Sequence, residues 1–317
     1  MPSALMRVIE AAARIRSGVP CVVAGAEELL RQLPRGNWIG GTTVHFMTDA
    51  GGREDHAHVF VSELRSATDL TICHYGADAL ADFTRDRWDH GLSFALIPGF
   101  SQAHHAFGVE AAEIPGLFDQ PLLGWITAAP PGPSPKVVDG ATGTVHDDGA
   151  LMMHLQLPAG TRAQVDIVTP YSVPADSPTI QFPRSGFFAT TAQVNGVEVD
   201  FAAYLRERDL DLRAPLAACY AGAPVNVSFR NVDDEGVSFF AAVQAGVVYR
   251  HARTPDDLAG AVMLQGGPEP GDIAFNCMLN YSFGRLEGRD CGGYTGPITY
   301  GEIAYILLNQ SLVRLRL

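Results

Sequence analysis

The last 45 residues constrain the chain most. They carry Phe275-Asn276-Cys277-Met278-Leu279-Asn280, then Gly296-Pro297-Ile298-Thr299-Tyr300-Gly301-Glu302-Ile303, and close on Asn309-Gln310-Ser311. Glycine weakens a strand interior, and buried amides or carboxylates require partners. A segment that mixes these residues into strand-like text reads as the wall of a site.

The rest of the chain reads as strands with few long helices. Residues 3–17 show apolar positions at helical spacing (Leu5, Val8, Ile9, Ala12, Ile15), ended by Gly18. Residues 20–25, 44–48, 56–64, 69–75, 92–97 and 122–127 read as strands, with a helix over 77–90 and partial helix over 100–118. Asp49-Ala50-Gly51-Gly52 and Asn195-Gly196 are hairpin signals. Ala129-Pro130-Pro131-Gly132-Pro133-Ser134-Pro135 marks a linker or crossover, because proline cannot join a ladder. Strand-rich text follows. The fold expected is α+β (mixed α/β): two related modules, residues 1–130 and 131–317, of twisted, mostly antiparallel or mixed sheet with flanking helices. Two Gly/Thr-rich turns, at 38–45 and 296–303, form a short internal echo. They suggest loops of a duplicated module that meet at one cleft.

Composition narrows the partners. A net charge of −13, with Lys136 the single lysine, argues against nucleic acid and against an anionic membrane surface. No apolar run reaches the roughly 20 residues of a spanning helix. Five widely spaced cysteines without a CxxC pair suggest reduced thiols in a cytoplasm and give no zinc framework.

The terminal motifs resemble the C-terminal module of the FIST family of bacterial sensory proteins. The resemblance rests on the strand with Asn276-Cys277, the Gly-x-x-Thr-Tyr-Gly-Glu turn at 296–302 and the Asn-x-Ser strand at 309–311. Gly40-Gly41-Thr42-Thr43 stands where FIST N-terminal modules carry a Gly-Cys-Ser/Thr-Thr turn, without the cysteine. The resemblance implies a small-metabolite sensor that signals through a separate kinase, cyclase or receptor component, since the chain has no Walker-type or kinase text. It also brings in haem as an alternative, because some FIST relatives are regarded as haem-based gas sensors. Otherwise no cofactor is expected.

The candidate ligand-binding residues are Gly40, Gly41, Thr42, Thr43, Asn276, Thr299, Tyr300, Glu302 and Asn309. The 40–43 stretch offers close backbone approach and two hydroxyls, or simply a tight turn. Glu302 accepts from a ligand amine or acts as a general base in an enzyme alternative, unless it only caps its turn. Cys277 on an apolar strand reads as a core residue rather than a nucleophile. His45, His56 and His58 are three imidazoles that a hairpin would bring close enough for a metal, and one of His104-His105 could serve as an axial haem ligand.

Overall fold

The computed structural model describes residues 3–130 and 132–317. It is 40% strand and 18% helix, arranged as several twisted sheets with short flanking helices, which is the mixed α+β class expected. Among the described residues no helix is long and apolar enough to cross a membrane.

The described residues form four six-stranded sheets and one of three strands. The central sheet runs Ile306–Leu308, Gly301–Ala304, Leu122–Thr127, Gly91–Pro98, Ala150–Gln156 and Asp69–Tyr75. Leu122–Thr127 and Gly91–Pro98 pair in parallel and are buried at every position, so apart from Ser93 and Thr127 they read as near-continuous apolar runs rather than alternating ones. One neighbour, the N-terminal sheet, runs Ser3–Met6, Val59–Glu63, Cys21–Gly25, Trp38–Thr42, Val137–Asp139 and Thr144–His146. The other, the C-terminal sheet, runs Gln164–Val168, Leu312–Arg316, Ile273–Cys277, Gly296–Thr299, His45–Thr48 and Gly51–Glu54. Trp125 of the central sheet packs on Phe275 of the C-terminal sheet, with ring centroids 5.3 Å apart. It also abuts Gly41 of the N-terminal sheet, where an added Cβ would lie 2.9 Å from the indole nitrogen.

These sheets do not divide at residue 130. The N-terminal and central sheets take strands from beyond it, and the C-terminal sheet takes His45–Thr48 and Gly51–Glu54 from before it. Only the distal sheet (Val197–Asp200 through Ala223–Val227) and the three-stranded sheet (Gly186–Ala189, Val237–Val243, Phe229–Val232) lie wholly on one side. Pairing between segments some 250 residues apart leaves no local mark.

Several local expectations are met. Asn195 and Gly196 both adopt positive φ, 50° and 79°, between the paired strands Thr191–Val194 and Val197–Asp200, the signature of a tight two-residue hairpin. Others need correction. Residues 77–85 form a 3-10 helix, and 3–6 form a strand ahead of the helix Val8–Arg16, because Ser3–Met6 pairs with Val59–Glu63. The strand returning from the 49–52 hairpin is Gly51–Glu54 rather than 56–64. Gly40, Gly41 and Thr42 are not a turn: they lie inside the buried strand Trp38–Thr42, parallel to Cys21–Gly25.

Candidate functional site

The terminal stretch folds as a strand, a short helix and a change of sheet. Ile273–Cys277 ends at Cys277, which caps the helix Met278–Phe283. Gly296–Thr299 pairs in parallel with Ile273–Cys277. The chain then crosses at Tyr300, and Gly301–Ala304 joins the central sheet beside Leu122–Thr127. Tyr300 fixes the crossing: its N–H donates to the Ile126 carbonyl at 3.0 Å and its hydroxyl to the Ala129 carbonyl at 2.7 Å.

Most of the expected site residues lie in the interior. Glu302 is fully buried; Thr299 Oγ1 donates to its Oε1 at 3.0 Å, and Oε2 has no hydrogen-bond partner. Burial pushes its pKa well up, against the opposing pull of Thr299, the Ser311 N–H and the Cys277 side chain, so the carboxyl is held in its neutral form. Burial and the adjacent Glu302 raise the Cys277 thiol in turn, while the N–H groups of Gln310, Leu279 and Asn280 pull it down. Asn276 points elsewhere, as strand alternation requires: its Oδ1 accepts from the Cys277 N–H at 2.8 Å and from Asn280 Nδ2 at 2.9 Å.

Asn309 is fully buried, and its side-chain amide makes no hydrogen bond. Thr43 Oγ1 donates to the Ile298 carbonyl at 2.7 Å, and Thr42 Oγ1 accepts from the Lys136 N–H at 2.9 Å. Gly40 lies under Trp38 and Leu30. The 40–43 stretch and the terminal stretch therefore do meet, but as packed strands.

A chain of hydrogen bonds leads from this interior to the surface. Asn280 Oδ1 accepts from the Tyr171 hydroxyl at 3.2 Å, and that oxygen accepts from Gln310 Nε2. Gln310 also donates to the Arg213 carbonyl at 2.8 Å and accepts from Ser228 Oγ at 2.6 Å. These partners hold it in a left-handed backbone conformation (φ 47°) that an L-residue adopts only when its surroundings enforce it. Asn226 Nδ2 bonds both the Gln310 carbonyl, at 3.2 Å, and Thr169 Oγ1, at 2.8 Å.

Thr169, Tyr171 and Asn226 line a groove of about 900 Å3. Val173, Ala217, Ala218, Val247 and Val248 supply apolar wall, and Cys219, Tyr220 and Arg250 complete it. Few polar groups among apolar walls is the usual make-up of a small-molecule site. Sequence reasoning missed these residues. The one available signal was Asn226 inside the apolar run Val225-Asn226-Val227, the same oddity that drew attention to Asn276.

The model of DUF6976, a family of unknown function, matches residues 6–317. The chain belongs to the DUF6976 family. The match takes in the groove, the distal sheet and the terminal stretch, so in this DUF6976 protein they are parts of one family unit. No curated protein and no solved structure matches it.

The candidate histidines of this DUF6976 chain have different packing partners, although His45 and His56 both lie near Glu54. His45 packs edge-on to Tyr281, His56 bonds Glu54 and His58 bonds Asp55. The described residues contain no metal-ligating cluster. His56 and His58 sit in the bend before Val59–Glu63 rather than on a common strand face. His104 does not fit an axial haem role as it stands. Its Nδ1 accepts from the Phe100 N–H at 3.0 Å, which leaves the proton on Nε2 and no free lone pair.

Proposed function

We propose that this protein binds a small metabolite in the groove floored by Thr169, Tyr171 and Asn226. The observation that carries the reading is the coupling of that floor to the buried polar chain through Gln310 and Asn280. A polar network of this kind, fully bonded at its surface end, rigidifies the few groups that would orient a ligand. The volume of about 900 Å3 lies within the range of roughly 300–1,000 Å3 usual for ligand pockets. Arg250 lines the same wall, which favours a ligand with an acceptor group facing an apolar body.

The sensory part of the proposal rests on the resemblance of residues 276–311 to FIST modules: occupancy would be passed to a separate signalling protein. Five unpaired cysteines support a reducing compartment, the cytoplasm. An enzymatic role for Glu302 is less well supported, since the carboxyl is neutral and shielded from water.

The test is a metabolite screen by thermal shift and native mass spectrometry, repeated on Val248→Trp. Val248 is 45% exposed at the groove, so the indole blocks the site without entering the core. A ligand that binds the wild type and is lost from the variant supports the proposal. A ligand that binds both equally, or the absence of any ligand, overturns it.

A further inference from the structure

A second, smaller cavity lies away from the groove, where the central strand Gly91–Pro98 turns into the helix Gln102–Glu110. Its volume is about 230 Å3, and its lining includes Phe100, Ser101, His104, Phe187, Arg230 and Phe240. No carboxylate lines it, which stands out in a chain of net charge −13.

Three features set it apart from an ordinary surface dimple. Phe100 is held in the left-handed region at φ 65° and is 61% exposed. A bulky residue rarely adopts that conformation without a role, because its Cβ crowds the neighbouring carbonyl there. The conformation is held by the Phe100 N–H bond to His104 Nδ1 and by the Tyr300 ring, with centroids 5.7 Å apart. Next, Arg230 stands over the exposed Phe100 ring, its guanidinium carbon 5.5 Å from the centroid, and has no ion-pair partner among the described residues. Finally, His104 is almost wholly buried at the cavity wall, and its Nε2–H has no acceptor. The Phe187 ring stands across it at 82°, with centroids 5.5 Å apart.

Flat aromatic walls, an unpaired guanidinium and an orphaned N–H donor suit a planar apolar body with one acidic group. We propose that this cavity is a site for a small aromatic carboxylate, its ring among Phe100, Phe187 and Phe240 and its carboxylate toward Arg230. The volume admits a single ring and little more. The neutral His104 adds a donor without adding charge.

Sodium benzoate is the probe, with benzyl alcohol as its uncharged counterpart, titrated into the full chain by calorimetry. Saturable benzoate binding is expected, with benzyl alcohol at least about tenfold weaker, a difference of about 1.4 kcal/mol. Arg230→Gln should weaken benzoate by a similar factor. Phe100→Gly removes the ring while suiting the left-handed backbone, so it should keep the melting temperature and lose benzoate affinity. Val248→Trp, which blocks the groove, should leave benzoate binding unchanged, so the two sites are judged separately. Equal affinity for benzyl alcohol, undiminished binding to Arg230→Gln, or no saturable binding would overturn the proposal.

Discussion

The carboxyl of Glu302 and the thiol of Cys277 face each other in the interior, and neither has any exposure to water. Burial raises both groups, and a Glu302 carboxylate would raise the energy of a Cys277 thiolate further. The Cys277 side chain only partly offsets the burial of Glu302, so the interior favours both protons in place. Glu302, which the sequence offers as a general base, thus lies inert beside Cys277 in the packing between the central and C-terminal sheets.

This pair makes stability depend on pH in a defined direction. The Glu302 pKa is raised in the folded chain above its ordinary 4.5, so the native state binds more protons than the unfolded state above that pH. Stability from this group is fully present below about pH 4.5 and is lost as pH rises toward the folded value. Glu302→Gln removes the term. Urea unfolding at pH 5 and pH 8 should show the variant gaining on the wild type at the higher pH. A difference that does not change with pH would refute the neutral carboxyl. Glu302→Ala also leaves a void and strands Thr299, so it should cost roughly 2–5 kcal/mol at pH 5, and less relative to the wild type at pH 8.

Histidines impose the opposite slope. His154 is fully buried within a directed chain: Ser93 Oγ donates to its Nδ1 at 2.8 Å, its Nε2–H donates to Tyr75 at 3.0 Å, and Tyr75 donates to Asp86 at 2.6 Å. Burial, helped by the nearby Arg87 charge, lowers its pKa from 6.5 to about 4, and burial does the same to His104. Below pH 6.5 the unfolded chain takes up protons that the native chain refuses. Each residue should then withdraw on the order of 3 kcal/mol as pH falls from 6.5 toward 4. Histidine Cε1–H resonances followed by NMR give the direct check. Both residues should stay neutral to below pH 5, and titration of His154 near 6.5 would refute the directed chain.

The parts of the fold that were legible from sequence are those governed by neighbours in the chain. Asn195-Gly196 supplied a hairpin because both positions require φ above zero, and 92–97 read as a buried strand because every side chain but Ser93 is apolar. Gly40-Gly41 misled for a tertiary reason. Glycine there does not free a turn; it leaves room for Trp38 and Trp125, whose rings occupy the space a Cβ would take. The terminal stretch was legible as a place of polar density, and it does hold a buried polar network. Its outlet was not, because Tyr171 and Asn226 are joined to Asn280 and Gln310 across more than 80 residues of sequence. Tyr300 packs on Phe100 and does not line the groove.

Thiol chemistry separates the interior from the groove in one experiment. Cys21, Cys277 and Cys291 are buried; burial raises Cys21 and Cys291 to about 12, which removes the thiolate that reacts. Cys219 is exposed and lines the groove, and Cys73 is half-buried on the edge strand Asp69–Tyr75. An aromatic disulfide reagent at pH 8 should modify Cys219 first and Cys73 more slowly, and reach the other three only in denaturant. Cys219→Ser should abolish the fast phase while leaving the melting temperature in place. A ligand seated against Thr169 and Asn226 should slow that phase in proportion to its occupancy, whereas benzoate in the Phe100 cavity should not change it. Rapid modification of Cys277 in the native chain would show that the Glu302 pair is open to solvent, contrary to the packing that encloses it.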